Sequence, residues 1–148
     1  MDITTLLSPE CATIAAPGLS KKRALEMISQ LAGEHHGSLN PQQLFESLLA
    51  RERMGSTGIG KGIALPHGRL ANIDRPIAVF IKCDEAIPFD AIDGKPVDLL
   101  FALFVPEDAV QEHLATLAAM AKTLQDKETC RALRKCSNDS ELYALVTS

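Results

Sequence analysis

The chain has 148 residues, of which 46% are hydrophobic and 23% charged, and a formal net charge of −4 at neutral pH. That length suits one domain with a full core, and the acidic balance excludes a broad nucleic-acid-binding surface, which needs an excess of cations. No apolar run approaches the roughly twenty residues of a transmembrane helix, and Asp2 stands where a secretory leader would carry basic residues; the expectation is a cytoplasmic chain without membrane insertion.

In chain order, CATIAA near Cys11 is a weak strand candidate. Ser20 is placed to cap a helix running to about Ala32, with Ala24, Leu25, Ile28, Leu31 and Ala32 on one face and Gly33 where helices stop. His35 and His36 follow beside Gly37 and read as solvated surface. Asn40 before Pro41 is a second helix start. Leu44, Phe45, Leu48 and Leu49 recur at helical spacing, and Gly55 is placed to end that helix.

The short run Ile63 to Leu65 reads as a strand ended by Pro66. Two longer β-rich runs follow, Ile77 to Lys82 and Val97 to Val105, with an Asp93-Gly94 turn between them. Their nearly continuous apolar character predicts burial on both faces, as in a helix-covered sheet. In the last third, Val110, Leu114, Leu117, Ala118 and Ala121 form a helical stripe. Shorter helices are expected near Glu128 to Cys136 and Ser140 to Val146. The whole reads as one α/β domain over residues 1–148.

The chemistry concentrates in GSTGIGKGIALPHGRL, Gly55 to Leu70. Gly55, Gly60 and Lys61 match three fixed positions of a phosphate-binding loop, but Gly62 stands where the magnesium-binding hydroxyl belongs. The context also fails, since such a loop follows a strand and opens a helix, whereas this one follows a helix and leads into IALP. Nucleotide binding by this loop is therefore rejected. What remains is a glycine-rich turn flanked by Arg51, Arg53, Lys61 and Arg69, with His67 at its end. Backbone N–H groups and cations make an anion site. A histidine there is a candidate phosphoryl acceptor, because imidazole is largely neutral and nucleophilic near pH 7. From the residues alone, a solvated surface histidine stays open beside it. His113, at the edge of the third helical stripe, is open in the same way between an ordinary partly buried histidine and a site residue.

The four cysteines, Cys11, Cys83, Cys130 and Cys136, form no CxxC pair and lie at no zinc spacing from a histidine. Free, buried or partly buried thiols are expected, with neither a metal nor a cofactor.

GSTGIGKGIALPHG resembles the signature of enzyme IIA domains of the fructose/mannitol class in the bacterial phosphotransferase system, and most of all their nitrogen-regulatory branch. KKRALEMISQLA, LLARERMGSTGIG, AIPFDAIDGKPVDLLFALFVPED, EHLATLAAMAKTL and ELYALV extend the resemblance along nearly the whole chain. It implies a single domain with a mixed β-sheet flanked by helices. It also implies reversible acceptance of a phosphoryl group from an HPr-like phosphocarrier. His67 matches the phosphorylated histidine, His113 a second histidine near it, and Arg51 the active-site arginine.

The absence of a permease or enzyme IIB segment after Ser148 favours the regulatory branch. Its output is phosphorylation-dependent binding to target proteins, such as potassium transporters or sensor kinases. A free-standing fructose- or mannitol-type sugar subunit, passing phosphate to a IIB cysteine, is the alternative. A pure binding module whose His67 is never phosphorylated is a second one.

Overall fold

The computed structural model describes residues 3–37 and 39–148; Asp2 lies outside them. Two short 3-10 turns, Ile3–Thr5 and Pro9–Cys11, lead into strand β1 (Ala12–Ala15). Helices α1 (Lys21–His35) and α2 (Pro41–Glu52) follow. Three short strands come next: β2 (Gly58–Gly60), β3 (Ile63–Ala64) and β4 (His67–Leu70). Two long strands, β5 (Ile77–Ile87) and β6 (Val97–Pro106), precede α3 (Val110–Gln125), α4 (Lys127–Lys135) and α5 (Asp139–Val146).

The six strands form one mixed sheet in the order β1-β5-β6-β3-β2, with β4 also paired to β6. β1 runs parallel to β5, and β5 antiparallel to β6. β3 and β4 share one side of β6, both parallel to it: Ile63 and Ala64 pair with Leu99 and Leu100, and His67 to Leu70 pair with Leu103 to Pro106. Pro66 interrupts the shared edge, but its carbonyl still accepts from Leu103 N at 3.0 Å. β6 is buried along nearly its whole length, on both faces, as its continuous apolar run predicts. α1 and α2 pack on each other, α1 against β5 and α2 against β4. α3 packs against β6 and β3, and α5 against β1. Phe80, Phe101 and Phe104 are fully buried in the central strands.

The helix starts follow from local chemistry. The Ser20 side chain accepts from Arg23 N at 3.1 Å, and Asn40 Oδ1 accepts from Gln42 N at 2.8 Å beside Pro41. Each satisfies an orphan donor of a first turn.

Four expectations are corrected. α1 does not stop at Gly33 but runs on to His35. Gly33 is buried inside the helix, where a Cβ would meet Pro41 Cγ at 2.7 Å. It is the contact point between α1 and the start of α2, and Gly37, at φ +63°, takes the left-handed position beyond the helix. β2 and β4 are strands the periodicity does not announce. The stripe on α3 is rotated: Leu117, Met120 and Leu124 are buried, whereas Leu114 and Ala118 are exposed. His36 is half-buried, with an Nε2 that has no hydrogen-bond partner among the described residues. Burial, reinforced by Arg75 and His35, pulls its pKa below the ordinary value. Only His35 is exposed as read.

Candidate active site

His67 is the first residue of β4 and sits opposite Leu103 of β6. Its ring Nδ1 lies 3.0 Å from the carbonyl oxygen of Leu65. A carbonyl only accepts, so Nδ1 carries the proton and the neutral ring keeps its lone pair on Nε2. The ring is half-buried. Burial pulls its pKa below 6.5, and the Arg51 charge acts in the same direction; the Leu65 carbonyl and Glu52 oppose them. The imidazole is therefore neutral at neutral pH.

Gly68 explains why a helix can lie beside this histidine. A Cβ at Gly68 would come within 2.8 Å of Ser47 Cβ. The missing side chain lets α2 approach the β4 backbone closely and brings Arg51, one turn beyond Ser47, to the His67 cleft.

That cleft has a volume of about 420 Å³ and is walled by α2, β4 and the N-terminal half of α3. Arg51, His67 and His113 all line it, as does Arg69. Met54, Val110, Leu114 and Leu117 add apolar surface, and Met54 is 82% exposed. The structure thus brings together the three residues singled out in the sequence, from α2, β4 and α3. Arg51 Nη1 donates to the Gly55 carbonyl at 2.8 Å, so the guanidinium spans the start of the loop after α2.

Not every cation near the motif in sequence belongs to this cleft. Lys61 lies in a separate one with α4, and Arg53 lines a third with Lys21 and Lys22. The single anion site expected around Gly55 to Leu70 is in fact divided. Gly60 (φ +97°), Lys61 (φ +59°) and Gly62 (φ +80°) make a left-handed turn between β2 and β3, and Lys61 lines the cleft with α4 rather than the His67 cleft.

Glu52 carries no signal in the sequence beyond its place in a charged run, and the structure buries it. Its carboxylate accepts from Thr57 N at 3.1 Å and from Thr57 Oγ1, and pairs with Lys21 Nζ at 2.9 Å. Lys21 Nζ also donates to the Phe89 carbonyl at 3.2 Å. Glu52 and Arg51 therefore hold the 53–57 loop from two sides. A burial pattern at 52 was hidden because a carboxylate is read as surface unless its partners, distant in sequence, are known.

The four cysteines are all buried and unpaired, in keeping with the free thiols expected. Burial pushes each thiol up, Cys83 to about 11, so none is a ready nucleophile at neutral pH. Among the described residues no helix is long and apolar enough to cross a membrane.

Residues 5–148 match the family described as phosphoenolpyruvate-dependent sugar phosphotransferase system, EIIA 2. The chain is 51% identical over 148 residues to the nitrogen regulatory protein of Escherichia coli K12, covering 99% of this chain and 90% of that protein. It superimposes on the crystal structure of the nitrogen regulatory protein IIA-Ntr from Neisseria meningitidis with a TM-score of 0.89. That match covers 98% of this chain and 99% of that one at 39% identity. The crystal structure of IIA mannitol from Escherichia coli shares the fold at a TM-score of 0.72 and 19% identity, covering 87% and 90% of the two chains. On the family match over residues 5–148, the sequence identity and the shared mixed sheet with flanking helices, this chain belongs to the EIIA 2 family of the phosphoenolpyruvate-dependent sugar phosphotransferase system.

Proposed function

We propose that the chain is a phosphocarrier that accepts a phosphoryl group on His67 Nε2 from an HPr-like protein and regulates target proteins according to its phosphorylation state. The observation that carries this reading is the hydrogen bond from His67 Nδ1 to Leu65 O, made inside a cleft that Arg51 and His113 also line. It fixes the ring and leaves Nε2 as the nucleophile.

In the transfer step the Nε2 lone pair forms the new bond to phosphorus. The donor's bond to phosphorus breaks, and its electron pair leaves with the donor. The Nδ1 proton stays on the ring, where the Leu65 carbonyl stabilises the positive charge that develops as Nε2 bonds to phosphorus. Arg51 meets equatorial phosphoryl oxygens with its fork of donors, and His113 donates one hydrogen bond. Such transfer depends on position and electrostatics rather than on protein-centred bond chemistry.

The regulatory output follows from charge. Unphosphorylated, the cleft presents the guanidinium groups of Arg51 and Arg69 beside exposed Met54 and Leu114. A phosphoryl group adds about −1.5 to −2 charge, which roughly cancels the two cations. An apolar rim with a cationic centre becomes an apolar rim with a neutral one, and partners of different charge are selected by the two states. Similarity to nitrogen regulatory proteins supports this branch over a sugar-specific subunit. The targets proposed, as the family resemblance implies, are nitrogen- or potassium-linked proteins such as potassium transporters or sensor kinases.

The test is to incubate the protein with enzyme I, an HPr-like carrier and phosphoenolpyruvate, and to map the phosphate. Acid-labile phosphate on His67 is expected. Labelling elsewhere, or none, overturns the reading. Efficient onward transfer to a IIB cysteine would assign the chain to the sugar-specific branch instead.

A further inference from the structure

The loop that joins α2 to β2, residues 53–57, is clasped shut at its base. Thr57 donates from its backbone N, at 3.1 Å, and from its hydroxyl to the carboxylate of Glu52, the last residue of α2. Both residues are buried. A buried carboxylate is costly unless charge and hydrogen bonds satisfy it. Lys21 Nζ supplies the charge, 2.9 Å from Glu52 Oε2.

A second segment anchors the clasp. The carbonyl of buried Phe89, between β5 and β6, accepts from Lys21 Nζ at 3.2 Å and from Ser56 Oγ at 2.8 Å. The lysine also lies 4.5 Å from the centroid of the Phe89 ring. Ser56 Oγ in turn accepts from Gly58 N at 3.0 Å. The start of α1, the end of α2 and the β5–β6 connection thus all converge on the two residues that end the loop.

Gly55 sits at the middle of the loop with φ +141°, a conformation that glycine adopts without strain. Its carbonyl accepts from Arg51 Nη1 at 2.8 Å. Among the described residues the Arg51 guanidinium makes no other hydrogen bond and no ion pair. A long side chain keeps one pose only if its contacts offset the lost rotamer freedom, and here that contact is the Gly55 carbonyl. The direction of that carbonyl is set by α2 before it and by Ser56 and Thr57 after it.

We infer that Thr57 is a positioning residue for phosphoryl transfer: by clasping Glu52 it fixes the Gly55 carbonyl, which aims Arg51 at the phosphoryl group on His67. This rests on the phosphocarrier reading above. Thr57 does not line the His67 cleft, so it acts through Arg51 and not on the phosphate. Small misplacements of a group that must meet a transferring phosphoryl reduce its rate steeply. The clasp has a second effect of the same sign. It keeps the Glu52 carboxylate turned to Lys21, whereas a loosened carboxylate would compete for Arg51 and repel the incoming phosphate.

The experiment measures single-turnover phosphoryl transfer from the phosphorylated HPr-like carrier to the full chain, with urea unfolding to confirm that each variant is folded. Thr57→Val, which keeps the shape and the backbone donor, should slow transfer by about fivefold or more. Thr57→Ser restores the hydroxyl donor and should bring the rate back close to wild type. In an Arg51→Lys background, Thr57→Val should add less than about a twofold effect, because the group it positions is already gone. The Arg51 side-chain N–H resonances, resolved in the wild type, should broaden in Thr57→Val. Ser56→Ala releases the loop from Phe89 without touching the buried ion pair and should show the same dependence on Arg51; it decides the matter if Thr57→Val does not fold. Wild-type rates in folded Thr57→Val overturn the inference, as does equal slowing in both backgrounds, which a purely structural role would give. Failure of Thr57→Ser to rescue overturns it too. Those results leave the phosphocarrier reading intact. Absence of label on His67 in the wild type removes that reading, and the inference falls with it.

Discussion

Gly68 and Ser47 touch where no side chain intervenes: a Cβ on Gly68 would stand 2.8 Å from Ser47 Cβ. This contact between β4 and α2 sets how closely Arg51 approaches His67. Gly68→Ala should therefore destabilise the protein by about 1–3 kcal/mol through overpacking and should slow phosphoryl acceptance. The second change Ser47→Gly should recover much of both losses. Urea unfolding and transfer rates on the single and double variants check it; additive losses would mean that the two residues are not coupled.

His67 should carry phosphate on Nε2 and on no other atom of the chain. Nuclear magnetic resonance of the phosphorylated ring separates the two nitrogens. Phosphate on Nδ1 would contradict the role given to the Leu65 carbonyl. Acid-stable phosphate on Ser56 or Thr57, or labelling that survives His67→Ala, would remove the residue from its role.

The same ring gives a pH prediction. Its pKa is lowered by burial below the ordinary 6.5. The unfolded chain then binds the proton more readily than the folded one, so stability rises with pH across the interval between the two pKa values. The contribution is intact above about 6.5 and is lost as pH falls toward the folded pKa. A ring titration that falls below 6.5, and a shallower acid-side loss of stability in His67→Ala, are the expected results. A titration above 6.5 would mean the site favours the imidazolium.

Arg51→Lys should fold normally and accept phosphate about tenfold or more slowly, because a lysine keeps the charge but loses the planar fork of donors. Thermal unfolding and single-turnover transfer separate the two effects. A wild-type rate in a folded variant would reduce Arg51 to its hydrogen bond with Gly55.

His113 should support the phosphohistidine without accepting phosphate itself. In His113→Ala, His67 should still label, with an altered rate or phosphate lifetime. In His67→Ala, His113 should stay unlabelled. Accumulation of phosphate on His113 in the latter, with no labelling of His67 in the former, would establish a relay in its place.

Glu52→Ala should cost about 3 kcal/mol or more, the range for breaking a buried ion pair from one side. Lys21 Nζ and the Thr57 donors are left without their acceptor. Glu52→Gln keeps one acceptor oxygen and should lose less. Equal stability of Glu52→Ala and the wild type, by urea unfolding, would show that water replaces the carboxylate.

Much of this protein was determined by its sequence alone. The helix starts at Ser20 and Asn40-Pro41 are local chemistry, because a side-chain acceptor satisfies a first-turn donor within three residues. β5 and β6 are legible because an apolar run of strand length has few other fates. His67 stands out because Pro-His-Gly sits among glycines and cations. The tertiary structure decided what local patterns do not encode. β2 and β4 have three and four residues, too few for periodicity to register, and they exist as strands through their ladders to β3 and to β6, whereas the two-residue β3 was legible as the short apolar run before Pro66. Gly33 reads as a helix stop but serves as a packing contact, because its neighbour Pro41 comes from the next helix. Lys61 and Arg51 flank the same motif, yet the left-handed turn through Gly60, Lys61 and Gly62 sends one to α4 and leaves the other beside His67. Which cations surround the histidine is set by how three separate elements pack, and no single stretch of the chain contains that information.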